Sequence, residues 1–219
     1  PRMIIAPSAE ANKESIALAL AEHAPFSSAS RRNPATCLEI GSGTGQHAAL
    51  LARRFPHVQF LPSEVSGGCS GPQAAPHDIE TVFASIFAHT TKISNVLAPI
   101  ELNAADDDWP VSPSSFDCIF CSKVLHIAPW SATLGLLRGA RRVLKPGGRL
   151  FLYGTFTTKG KHISERNAGF DARLKANNSS WGVRDATDIA AQAAFHGLRL
   201  DTHQEMPDDD ALLVFGRRD

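Results

Sequence analysis

The chain has 219 residues, 43% of them hydrophobic, and 22 Lys plus Arg balance 22 Asp plus Glu to a formal net charge of zero. That length suits one α/β domain with a sizeable core, and the balanced charge lacks the basic stripe of a protein that grips a phosphate backbone. No window reaches the roughly 18 apolar residues of a membrane span, the first residues lack the apolar stretch of a signal peptide, and four scattered cysteines cannot form a disulfide scaffold. The expectation is a cytoplasmic, reduced protein with no nucleic-acid partner, no membrane partner and no metal.

Helical spacing of Ile16, Ala19 and Leu20 predicts a helix within residues 9–23, followed by a Ser/Arg/Asn linker over 27–34. Thr36-Cys37-Leu38 then reads as a strand, Glu39-Ile40-Gly41-Ser42-Gly43-Thr44-Gly45-Gln46-His47 as a glycine-rich turn, and the residues through Phe55 as a helix. Val58 to Leu61 is a second strand, closed by Pro62-Ser63-Glu64. Gly67 to Pro76 reads as a mobile loop, and a helix carrying Ile79, Val82, Phe83, Ile86 and Phe87 follows it.

A short third strand, Ile100 to Leu102, leads to the loop Asp106-Asp107-Asp108-Trp109-Pro110, whose consecutive carboxylates suit solvent better than one metal ion. Phe116 to Cys121 is the fourth strand. Cys118 and Cys121 lie three apart on it and so face opposite sides of the sheet, as buried thiols. A helix over 130–144 stops at the turn Lys145-Pro146-Gly147-Gly148, and Arg149 to Gly154 is a strand buried on both faces. A polar excursion from Thr157 to Gly182 precedes a helix near 185–195 and two strands, Leu198 to Thr202 and Leu212 to Gly216. Alternating strands and helices predict a parallel α/β sheet with right-handed crossovers.

Ligands of open α/β sheets bind beyond the carboxyl ends of the strands, which selects four tips. The first is the turn Gly41, Ser42, Gly43, Gly45, where missing Cβ atoms let the backbone approach a ligand, with Glu39 beneath it. The second is Glu64, whose carboxylate can accept from both hydroxyls of an adenosine ribose. The third is Asn103-Ala104, where Asn103 can read an adenine edge or cap a turn. The fourth is Ser122 to Trp130, where Ser122 faces the cofactor and His126 is either a general base or a structural loop histidine. Trp130, Tyr153, Phe156, Phe170, Asp171 and Trp181 are the candidate acceptor-binding residues. Their rings suit a planar or hydrophobic small molecule, or else anchor a long loop.

The glycine spacing is G-x-G-x-G after an acidic residue, not the dinucleotide G-x-G-x-x-G, and it resembles the first motif of S-adenosylmethionine (SAM)-dependent methyltransferases. The whole chain is similar to the methyltransferase-like protein 26 family. The stretches that carry the likeness are Ala11 to Glu14, Leu38 to His47, His126 to Trp130, Leu152-Tyr153-Gly154, Asn167, Phe170-Asp171, Trp181 to Asp185 and Met206-Pro207. The resemblance implies a Rossmann-like class I methyltransferase fold: a seven-stranded, mostly parallel sheet with the last strand antiparallel and helices on both faces. It also implies SAM as cofactor. On it, residues 1–219 form a single domain, with a lid helix and linker over 1–34 and an acceptor-side insertion over 155–183.

The chain also departs from that family. Arg is usual at Ala11, Asp at Glu64, Leu-Asp-Val at Leu102-Asn103-Ala104, Asn at Lys123, and Asn at both Asp209 and Asp210. Lys123 sets a cation beside a cationic cofactor, which requires the ammonium to point away or to pair with an acid such as Glu64 or Asp171.

The leading expectation is a SAM-dependent methyltransferase acting on an O or N atom of a small-molecule acceptor in specialised metabolism, as a monomer or homodimer, with His126 as base. Two alternatives stand beside it. One is a SAM-binding enzyme of a non-methylating reaction such as a cyclisation; the other is a non-catalytic methyltransferase-like partner subunit.

Overall fold

The computed structural model describes residues 3–66 and 78–218. The loop expected at 67–76 lies outside the described residues. The strands are β1 Ala35–Ile40, β2 Val58–Glu64, β3 Ile100–Glu101, β4 Phe116–Ser122, β5 Leu144–Gly154, β6 Phe156–Thr157, β7 Arg184–Asp185, β8 Leu198–Met206 and β9 Asp210–Arg217. The helices are α1 Pro7–Leu20, α2 Gln46–Arg54, α3 Ile79–Thr90, α4 Trp130–Val143, α5 Glu165–Asn177 and α6 Ala186–Phe195.

Seven strands form one sheet in the order β3-β2-β1-β4-β5-β9-β8. The pairs from β3 to β5 are parallel, and β9 runs antiparallel to both its neighbours. The chain therefore has the expected Rossmann-like fold with a reversed last strand. Its topological switch point lies between β1 and β4, where the order turns back.

Strand alternation builds both faces of the core. Leu150 and Leu152 join Leu38, Ile119, Cys121 and Leu213 under α4 and α6, on which Leu136, Leu137, Ala140 and Ile189 point inward. Phe151 and Tyr153 face the other way, with Cys37, Phe60, Cys118 and Phe120, under α1 and α2. Cys118 and Cys121 thus lie on opposite faces. Truncating a ring such as Phe120 or Phe151, both fully buried, would cost about 3–5 kcal/mol.

Two elements differ from the sequence-based expectation. Helix α4 passes directly into β5, and Lys145-Pro146-Gly147-Gly148 lies inside that strand as a bulge, with Gly147 at φ +74°. There the β4 partners shift from Phe116↔Leu144 to Cys118↔Arg149. The polar excursion contains α5, capped by the Ser164 hydroxyl accepting from the Asn167 N–H at 3.2 Å. Its buried positions are Asn167, Asp171 and Leu174, a helical spacing filled mainly by polar groups. The short parallel pair β6–β7 closes the excursion.

Candidate functional site

The carboxyl ends of β1, β2 and β4 open into a cleft of about 820 Å³ of empty space. Its floor is the glycine turn. Gly41, Gly43 and Gly45 have φ of +68°, +53° and +92°, values that L side chains rarely adopt. A Cβ on Gly41 would lie 2.3 Å from Val124 Cγ2, and one on Gly45 would lie 2.7 Å from Ile86 Cα, so both are packed against neighbours. A Cβ on Gly43 would meet nothing within 4 Å. Gly43 lines the cleft and leaves bare backbone facing it.

The turn is fastened to β2. Ser42 N–H donates to Ser63 O at 2.8 Å, Ser63 N–H to Ser42 Oγ at 3.1 Å, and Ser63 Oγ–H to Glu39 O at 2.6 Å. Glu64 lines the cleft as expected; its carboxylate accepts from Gly43 N–H at 2.7 Å and Val65 N–H at 3.0 Å. Burial pushes its pKa up while those two amides pull the other way. Glu39 is buried under the turn, and its Oε2 has no hydrogen-bond partner among the described residues. Burial raises its pKa to about 7, opposed by a bond with Ser42 and reinforced by the Glu64 charge. Ser122 lines the same cleft, and its Oγ is likewise buried without a partner.

The roof comes from the N-terminal segment, through Ala6, Ser8, Ala9 and Asn12. Ile4 N–H donates to Ser85 Oγ at 3.0 Å and Ala6 N–H to Gln46 Oε1 at 2.7 Å, while Gln46 Nε2–H donates to Glu10 Oε2 at 2.7 Å. His89 Nε2 donates to Ile4 O at 2.7 Å. His47 also lines the cleft, with its Nε2 2.8 Å from Asn12 Oδ1. Burial lowers its pKa to about 4, with Lys123 and Lys13 adding to the effect, so the ring is neutral at pH 7. Sequence reading missed His47, Asn12 and Thr44 as cleft residues; His47 follows the glycines directly, and that adjacency was the available signal.

His126 is elsewhere. It sits in a one-turn helix over Leu125–Ile127 and lines a separate inner cavity with Tyr153, Gly154, Thr155, Phe156 and Arg184. Its ring packs edge-on against Phe170, centroids 5.2 Å apart. Burial lowers its pKa to about 4, aided by Lys123. Arg184 fixes this turn by donating to Leu125 O at 3.0 Å and to Ala128 O, and it stacks 5.9 Å over Trp130. Tyr153 and Phe156 are buried at the inner cavity.

Other candidates lie outside the residues lining the cleft. Asn103 spends its side chain on a turn, accepting from Ala105 N–H and donating to Asp106 Oδ1, both at 3.0 Å. Ala104 packs against α4, where a Cβ on Gly135 would come within 2.2 Å of its carbonyl oxygen. Asp171 accepts from Lys175 Nζ at 2.7 Å and Val183 N–H at 2.8 Å, with His162 Nε2 at 3.4 Å. Trp181 donates its N–H to Asn178 O at 2.9 Å. These two residues tie the excursion together.

Lys123 bridges cleft and inner cavity, lining both. Its acid is neither Glu64 nor Asp171 but Asp210, at 2.7 Å. Tyr153 O–H donates to the same Asp210 oxygen at 2.8 Å, and Thr155 O–H to the other at 2.7 Å. Lys123 and Asp210, 87 positions apart in the chain, thus meet as one ion pair.

Comparisons with known proteins agree with this architecture. The family described as "Protein of unknown function (DUF938)" matches residues 3–217. A malonyl-[acyl-carrier protein] O-methyltransferase of Herminiimonas arsenicoxydans is 31% identical over 137 residues, covering 62% of this chain and 43% of that protein. The chondramide synthase cmdD of Chondromyces crocatus is 37% identical over 121 residues, covering 54% of this chain and 3% of that protein. The matches therefore span less than half of these curated relatives. Among solved structures, the mitomycin 7-O-methyltransferase MmcR superposes with a TM-score of 0.72 at 17% identity, over 96% of this chain and 54% of that one. Human N-acetylserotonin methyltransferase in complex with SAM gives 0.71 at 13%, over 97% and 53%.

Proposed function

The chain belongs to the DUF938 family, and from that premise we propose that it is a SAM-dependent methyltransferase acting on an O or N atom of a small molecule in specialised metabolism. The observation that carries the reading is Gly43: left-handed backbone with open space where its Cβ would be, beside Glu64, at the switch point of the sheet. Support comes from the O-methyltransferase relatives and from the quoted stretches, which favour the methyltransferase-like protein 26 branch. The neutral formal charge favours a small acceptor over nucleic acid. No helix among the described residues is long and apolar enough to cross a membrane, and Cys37, Cys118 and Cys121 are free and buried, which fits the cytoplasm.

The cleft fits an adenosyl sulfonium. Glu64 would hold the ribose hydroxyls, the Gly41–Gly45 turn and Ser122 the amino-acid end, and Glu39 would supply negative charge from below. When bound, SAM supplies an electrophilic methyl carbon. The chain's own contribution is alignment and exclusion of water, effects that suffice for an activated group. Ala6, Ser8, Ala9 and Asn12 cover the cleft, and Arg184 fixes the Leu125–Ala128 turn beside it.

Calorimetric titration with S-adenosylhomocysteine, with NAD as control, tests the reading. Micromolar binding of the first alone is expected. Binding of NAD instead, or of neither ligand, would refute it.

A further inference from the structure

The cleft wall is chemically lopsided. Among the described residues that line it, Lys123 is the one permanent cation and Glu64 the one carboxylate. Glu64 already accepts two backbone N–H groups. His47 is neutral, and its Nε2 is engaged with Asn12. His126, the base expected from sequence, lines the other cavity. An acceptor in this cleft finds one cation to meet it, and the imidazole beside that cation, its pKa lowered to about 4 by burial, is a weak base.

Lys123 is also held at some cost. Its φ is +55°, a conformation costing about 1–2 kcal/mol for a side-chain-bearing residue. Its N–H donates to Tyr153 O at 2.8 Å, and its ammonium lies 5.7 Å over the Tyr153 ring. Asp210, its partner, is 2% exposed, and such a buried pair is weak evidence of a stabilising role. Yet a third of the Lys123 side chain remains exposed. An ammonium has three N–H donors and Asp210 takes one, so donors remain for the cleft.

We propose that Lys123, steadied by Asp210, is the acceptor-binding cation of the cleft, and that the acceptor is an organic acid bound as its oxyanion. This rests on the methyltransferase reading above. An oxyanion has no proton to lose: its lone pair forms the new O–C bond, while the electrons of the broken C–S bond stay on sulfur. The negative oxygen and the positive sulfonium both end neutral. The product ester or ether no longer attracts Lys123, so the same cation that recruits substrate favours release of product. Asp210 tempers the ammonium, so that the oxygen is recruited without being locked in place.

The test is calorimetry on protein saturated with S-adenosylhomocysteine, titrated with benzoate and butyrate and with their isosteric amides, benzamide and butyramide. The parent should prefer each carboxylate by roughly tenfold, the worth of one charge-assisted hydrogen bond. Lys123→Met should abolish the preference and Lys123→Arg should keep most of it. Because Lys123→Met leaves Asp210 buried without its cation, the charge-neutral pair Lys123→Met with Asp210→Asn is measured beside it; the amide oxygen introduced there can still accept from Tyr153 or Thr155. Preference lost in both proteins supports the proposal. Carboxylates bound no better than amides by the parent, or a preference that survives in the double variant, would overturn it while leaving the cofactor reading intact. Failure of the parent to bind S-adenosylhomocysteine would overturn both.

Discussion

Asp117 and Glu39 occupy neighbouring strands at opposite ends of one sheet and meet opposite treatment. Asp117, at the amino end of β4, accepts from Thr36 N–H, Thr36 O–H and Lys145, each at 2.8 Å. Burial alone would raise its pKa, but the Lys145 ammonium and the Thr36 donors outweigh it and hold the carboxyl below its usual range. Glu39, at the carboxyl end of β1, is more deeply buried, has an oxygen without a partner, and titrates near 7. One end of the sheet is finished for stability. The other retains unsatisfied groups, in Glu39 and Ser122, where a ligand can complete them.

The sharpest way to break that contrast is to fill the turn. Gly45→Ala places a Cβ 2.7 Å from the Ile86 backbone at φ +92°, and is expected to cost about 3 kcal/mol and abolish S-adenosylhomocysteine binding; denaturant melts and calorimetry read both. Glu39→Gln acts on pH dependence. The native carboxyl titrates near 7 against 4.5 when unperturbed, so its contribution is fully present below pH 4.5 and is lost as pH rises toward 7. That loss amounts to about 3 kcal/mol. The Gln variant should lack this decline, being relatively more stable at pH 8 without ligand while binding the cofactor analogue more weakly. A decline that persists in the variant would exclude Glu39 as its source.

Asp117→Asn probes the finished end and should cost about 1 kcal/mol at pH 7 with ligand affinity unchanged. Here the sign reverses: the lowered pKa means that Asp117 stabilises above the ordinary carboxylate range and loses that contribution as acid protonates it. Asn103→Ala should have the smallest effect, with cofactor affinity within about twofold, since the side chain serves its own turn. A larger loss in calorimetry would return Asn103 to the adenine-reading role.

The succession of strands and helices and the glycine turn were legible because each is written locally: apolar runs, a turn at the carboxyl end of the first, and helical stripes between them. Helix α5 was not, because the residues it buries include Asn167 and Asp171, which hydrophobic periodicity counts as solvent-facing. The Lys145-Pro146-Gly147-Gly148 segment has the chemistry of a stop, yet parallel pairing with β4 resumes beyond it and makes it a bulge. The partner of Lys123 was illegible for another reason. Asp210 is brought beside it only by the antiparallel return of β9 along β5, a long-range pairing that no local spacing announces. Likewise, the placement of His126 behind its turn depends on Arg184, far along the chain.

The fastening of residues 4–10 to Ser85, His89 and Gln46 bears on how this protein should be handled at the bench. A tag or fusion partner joined ahead of residue 3 would be delivered by those bonds to the mouth of the cleft. The reversed direction of β9 sends Arg217 out at the opposite end of the strands, beside the start of β5. Affinity tags, surface-immobilisation handles and reporter fusions therefore belong on the carboxyl-terminal side, where they leave the cleft mouth clear.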